Sequence, residues 1–277
     1  MERREFVKTV AGVGAALAAG EAHAVGQAAD SSAALRNDKQ GAGQEFYQLR
    51  KYELRNGPML ALCQGYFERA LIPALGRLGM GPVGAFKLDI GPQTPTYYVL
   101  IPAADAGALV TLDAKLGADA EYVKAAGGFR DAPAAAPAFV RAERTLLAAF
   151  SGWPKLTAPK TVDGKRPKRM FQLRTYESPS QVAHARKIAM FNEVEIGIFV
   201  RAGLNPVFLG DTLVGTRMPS LTYMLTFADT AELTAHWAAF SADPAWKELS
   251  HKPGNTDAEI VSNISNLYLS PLECSEI

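Results

Sequence analysis

The chain is poor in the residues from which many reaction centres are built. Its 277 residues include two cysteines and four histidines. Cys63 and Cys274 stand far apart, in no metal or redox spacing. No histidine lies four residues from another, and neither a Gly-x-Ser-x-Gly elbow nor a glycine-rich loop ending in Lys-Ser/Thr occurs. These gaps argue against zinc proteases, common hydrolases and phosphate-cradling nucleotide enzymes, and no metal site is expected. Charge of one sign is also lacking: the net charge is +1, which gives no global field to recruit nucleic acid. Beyond the first two dozen residues no apolar run approaches the roughly 18 residues of a membrane span, so none is expected.

The beginning of the chain does carry an address. Arg3-Arg4-Glu5-Phe6-Val7-Lys8, a small apolar stretch over Val10–Ala19 and the Ala22-His23-Ala24 triplet read as an export signal over residues 1–24. The paired arginines resemble the twin-arginine type, so cleavage after Ala24 and a periplasmic or secreted protein are expected. Residues 25–44, rich in Ala, Gly, Ser and Asp, predict a disordered spacer.

The mature chain matches itself. Shifted by 124 residues, Tyr47–Lys124 lies over Phe171–Glu248 without a gap, with 20 identities in 78 positions. Gln48-Leu49-Arg50 with Tyr52-Glu53 falls over Gln172-Leu173-Arg174 with Tyr176-Glu177, and Arg77, Gly79 and Pro82 fall over Arg201, Gly203 and Pro206. A two-copy period of this length predicts two domain-sized units facing each other across a pseudo-twofold axis. We place them at residues 45–150 and 170–277, joined by a basic, Pro- and Gly-containing linker over 151–169 that should be solvated.

Within each copy, period-two strands and a helical period alternate in the order β-α-β-β-α-β. Gly79 and Gly203 stand at helix ends, with Pro82 and Pro206 just beyond. Asp105 and Asp229 should cap the second helix, and Asp243-Pro244 opens a further short one. The fold class is therefore α+β: two ferredoxin-like units whose open sheet faces close on each other as an intramolecular barrel. On the first strand the apolar set (Tyr47, Leu49; Phe171, Leu173) is assigned to the helix side, which turns Gln48, Arg50, Tyr52, Gln172, Arg174 and Tyr176 toward the barrel. The alternation of the third strand adds Thr222 and Met224 to that wall.

The opening strands Glu45–Tyr52 and Phe171–Tyr176 resemble that of the NIPSNAP family. The second copy is similar over more of its length, through Met190-Phe191-Asn192-Glu193, Gly203-Leu204-Asn205-Pro206, Asp243-Pro244-Ala245-Trp246 and Ile260–Asn266. The resemblance implies a dimeric α/β-barrel architecture, here within one chain, and it names no catalytic residue. The eight wall residues predict binding of a small anionic or polar-aromatic molecule between the repeats, with Arg50 and Arg174 clamping a carboxylate or enolate. On this reading Arg174→Ala would release the ligand without unfolding the chain. Asn192, Glu193 and His236 are secondary candidates. No cofactor is required; His236 is the residue that would serve if haem, which some relatives by fold handle, were bound. An enzyme of the barrel type, an oxygenase or isomerase, and a non-catalytic module with a packed barrel are the alternatives, and pairing of whole chains is left open.

Overall fold

The computed structural model describes residues 43–161 and 167–277. The export signal and nearly all of the expected spacer lie outside the described residues. The first half runs β1 (Phe46–Glu53), α1 (Pro58–Tyr66), a π turn (Phe67–Leu71), α2 (Ile72–Arg77), β2 (Gly84–Ile90) and β3 (Thr96–Ala103). Three short helices follow, α3 (Ala106–Val110), α4 (Leu112–Ala118) and α5 (Ala120–Arg130), and then β4 (Arg141–Ala149). The second half runs β5 (Met170–Glu177), α6 (Gln181–Met190), a π turn (Phe191–Glu195), α7 (Ile196–Arg201), β6 (Asn205–Val214) and β7 (Ser220–Phe227). It ends with α8 (Thr230–Ala242), α9 (Pro244–His251), α10 (Asp257–Ile260) and β8 (Asn263–Pro271). Starts at 46 and 170, 67 and 191, and 96 and 220 each differ by 124 residues.

Most of the matched polar residues serve this architecture. Asp105 and Asp229 cap their helices by accepting from the backbone N–H of Ala108 and Glu232, and Asp119 and Asp243 cap α5 and α9. Each of the latter pair also holds an arginine from the end of the preceding long helix, Arg77–Asp119 at 2.6 Å and Arg201–Asp243 at 3.1 Å. Gly79 and Gly203 have φ of 69° and 79°, the left-handed region that closes a helix at low cost only for glycine.

The eight strands form one closed antiparallel barrel in the order β1-β3-β2-β8-β5-β7-β6-β4. Each half contributes four strands, and β2–β8 and β4–β6 are the two seams. Closure leaves no sheet edge for another chain to extend. At the first seam the chain end crosses over: Leu272 N–H donates to Ala85 O, Glu276 N–H to Val83 O, and Ala85 N–H to Ser275 Oγ. The described linker residues are mostly exposed, as expected, and are tied to the barrel where Thr157 N–H bonds Val207 O and Leu156 packs on the core.

The barrel interior corrects the expected strand phase. Tyr47, Phe86, Tyr98 and Leu147 from the first half meet Phe171, Leu173, Phe208 and Met224 from the second in one buried cluster. Gln48, Arg50, Tyr52, Gln172, Arg174 and Tyr176 lie instead on the outer sheet face, under the helices. Register explains the inversion. Directly opposed residues share a face, and Leu173 pairs with Met224 while Arg174 pairs with Tyr223. Met224 points inward as expected, and Leu173 must follow it. Two further cores fill the helix-to-sheet layers, one per half, around Phe67 and around Phe191. Cys63 is buried in the first of them. No helix among the described residues is long and apolar enough to cross a membrane.

Candidate functional site

In the first half the polar set of β1 reaches into the helix layer. Gln48 Nε2 donates to Leu109 O at 3.1 Å, and its Oε1 accepts from Arg50 Nε at 2.6 Å. Arg50, 2% exposed, extends to Asp113 on α4 at 3.2 Å, and the same carboxylate takes Arg144 of β4 at 2.5 Å. Beside this group lies a cavity of about 340 Å³, lined by Arg50, Arg130, Arg144, Asp113, Tyr52 and Tyr66 among others. Tyr66 stacks on Phe129 with centroids 3.9 Å apart, and its hydroxyl lies 2.9 Å from that of Tyr122. Burial raises the Tyr52 and Tyr66 phenols above their ordinary range, so at neutral pH they remain O–H donors. Two guanidiniums, those of Arg50 and Arg144, meet one carboxylate beside aromatic walls, and Arg130 lines the same cavity. Such a cavity favours an anion with a flat body.

The second half has the same frame with different contents. Gln172 accepts from Trp237 Nε1 at 2.8 Å, and the Arg174 guanidinium sits 4.5 Å from the Trp237 ring while Nη2 donates to Tyr176 OH at 2.7 Å. Trp237 and Trp246 stand 124 residues after Asp113 and Tyr122. Their rings pack where the first half is hollow, Trp237 on Arg174 and Trp246 near Lys187.

Deeper in the same layer, Lys187 Nζ and Glu195 Oε2 lie 3.4 Å apart, at 1% and 2% exposure. Burial raises the Glu195 carboxyl above its usual range, against the opposing pull of Lys187. The equivalents in the first half are Cys63 and Leu71, ordinary core residues. The fold thus does without this ion pair in one of its two halves. His184 Nε2 also meets Asp211 Oδ1 at 2.7 Å, where the first half has Leu60 and Lys87.

The secondary candidates separate. Asn192 Oδ1 accepts from Gly152 N–H at 2.8 Å, tying the π turn to the linker, and Glu193 is exposed. The His236 ring lies against Phe227, and a side chain on Gly203 would strike it at 2.9 Å. It lines neither the cavity beside Arg50 nor the barrel mouth. Thr222 lines a third region, the mouth of the barrel, while Met224 lies in the packed interior below.

Sequence reasoning set Lys187 down as solvated and Glu195 as a cap or ion-pair residue, and missed Asp113 and Arg144; Lys187 is in fact buried, paired with Glu195. A signal for the first two was present: both occupy positions at which the first copy carries the apolar residues of its helix period. Asp113 and Arg144 meet only through the fold, from α4 and β4.

Residues 171–276 match the model of the NIPSNAP family, a span that comprises the second half. Among curated proteins none matches the chain. Two solved structures provisionally named monooxygenases share the barrel. One, from Lactobacillus acidophilus NCFM, is 9% identical with a TM-score of 0.54, covering 82% of this chain and 94% of its own. The other, from Fusobacterium nucleatum subsp. nucleatum, is 7% identical with a TM-score of 0.54, covering 83% and 94%. An uncharacterised NIPSNAP-like domain protein from Burkholderia xenovorans is 20% identical over 38% of this chain and 86% of its own, with a TM-score of 0.34. The chain is thus an α+β protein of the closed-barrel class. Its second half is similar to the NIPSNAP family over the matched residues 171–276.

Proposed function

We propose that the protein binds a small anionic molecule with a flat ring in the helix-covered cavity of its first half. The observation that carries this reading is the convergence of Arg50 and Arg144 on one carboxylate, Asp113, at 3.2 and 2.5 Å beside an aromatic cavity. A ligand carboxylate would join or displace Asp113 on the same guanidiniums, with its ring against the aromatic lining of Tyr52, Tyr66, Phe129 and Phe139. Relative to the sequence reading, the class of ligand is retained and its place moves from the barrel to the layer outside it. An enzyme acting on that ligand is the second reading, favoured by the barrel shared with two proteins provisionally named monooxygenases. Export is part of the proposal, resting on the Arg3-Arg4 leader alone.

Calorimetric titration with 4-hydroxybenzoate, and with 4-hydroxybenzyl alcohol as its neutral counterpart, tests the binding. The carboxylate should bind and the alcohol should not. Arg144→Ala should weaken binding roughly tenfold or more, since a hydrogen bond to a charged group contributes about 1.5–3 kcal/mol. Asp113→Asn should tighten it by removing the resident competitor. Equal affinity for acid and alcohol, or indifference to Arg144, would overturn the assignment. Oxygen uptake in the presence of the bound carboxylate would distinguish an oxygenase from a binder.

A further inference from the structure

The barrel mouth has a chemistry of its own. A cavity of about 290 Å³ opens there across both halves. Its wall carries hydroxyls from four strands: Thr145 of β4, Thr175 of β5, Thr212 of β6 and Thr222 of β7, joined by Ser220 and Ser265. Its floor is apolar, formed by Leu49, Leu173 and the ring of Tyr98 where they cap the packed interior.

The charges at the rim are already paired. Lys51 lies 2.7 Å from Glu53 and 3.7 Å from Glu143, and Arg217 lies 3.5 Å from Glu177. The hydroxyls have capacity left over. Ser220 donates to Thr212 Oγ1 at 3.0 Å, so the Thr212 hydrogen points elsewhere. Thr175 and Thr222 lie 2.9 Å apart, and whichever donates, the other hydrogen is left over. Thr212 and Thr222 are 5% and 4% exposed, so what these hydrogens can reach is the cavity they line. A wall of groups that both donate and accept, without surplus charge, matches alcohols. An apolar floor with an aromatic ring matches the C–H face of a saturated ring.

We propose that the barrel mouth is a second binding site, for a neutral polyhydroxylated ring such as a monosaccharide or cyclitol. The volume lies at the lower edge of ordinary ligand pockets, about 300–1,000 Å³, which fits one ring and not a chain of them. This site is independent of the cavity in the first half, which is cationic and aromatic and lies on the other side of the sheet.

The test is ligand-observed saturation-transfer NMR on the full chain with D-glucose and with myo-inositol, and 4-hydroxybenzoate in a separate titration. At least one polyol should bind saturably. Thr222→Val keeps the shape and removes the hydroxyl, and should weaken that binding about tenfold. Thr145→Val, on the less buried side of the mouth, should weaken it too and serves if Thr222→Val fails to fold. Neither variant should alter 4-hydroxybenzoate affinity. Failure of both polyols to bind, or polyol binding unchanged in a folded variant, overturns the proposal. Loss of carboxylate binding alone would fall on the first-half site and leave this one standing.

Discussion

Exchanging Lys187 for methionine should lower the stability of the folded chain by about 3–5 kcal/mol near neutral pH, the usual effect of stranding one member of a buried ion pair. Its partner, Glu195, is 2% exposed. Replacing both, Lys187→Met with Glu195→Leu, should restore most of the loss, because Cys63 and Leu71 show that this layer tolerates apolar residues at both positions. Urea unfolding of the three proteins measures the cycle.

The pH dependence of the single variant has a definite sign. Burial holds the Glu195 carboxyl above its ordinary range, and removing Lys187 takes away the main force that opposes the rise. A carboxyl whose folded pKa exceeds its unfolded one binds its proton more tightly when folded. The penalty is therefore absent at acid pH, where both states are protonated, and grows as pH rises from about 4.3 through the elevated value. The Lys187→Met defect should be smaller at pH 4.5 than at pH 7.5. A defect that is equal at both, or larger in acid, would show that Glu195 is not the stranded group.

Arg174→Ala should also be a stability variant, of about 2–4 kcal/mol, and should leave 4-hydroxybenzoate binding unchanged. The guanidinium stacks on Trp237 at 4.5 Å and donates to Tyr176, so its removal opens a gap beneath the helix and leaves a buried hydroxyl without its partner. This reverses the outcome expected from sequence, in which Arg174 faced a ligand in the barrel. Parallel thermal melts and carboxylate titrations separate the two. Lost carboxylate binding at unchanged stability would favour the earlier placement.

What the sequence disclosed depended on how local the cause was. Helix ends were legible at Gly79, Gly203, Asp105, Asp229 and Asp243, because a cap or a left-handed turn is decided by two or three neighbouring residues. Barrel closure was legible from the doubled β-α-β-β-α-β order and the sheet face that each unit would otherwise expose. The facing of β1 and β5 was not. Both sides of those strands are buried, so alternation of polar and apolar residues separates two faces without naming which one is the barrel's. The strand-to-strand register, Leu173 beside Met224, settles it, and a register is a long-range fact. The candidate site suffered for the same reason: Arg50 and Arg174 were found, their surroundings were misplaced, and Asp113 and Arg144 come together only once α4 and β4 are docked.

The crossing of the chain end at Val83 and Ala85 has a further consequence. The last residues belong by position to the second unit and by contact to the first, so neither unit is complete when excised at the repeat boundary. Heat should dissolve both in a single cooperative step, and a tag fused directly after Ile277 would push against the barrel wall instead of trailing in solvent.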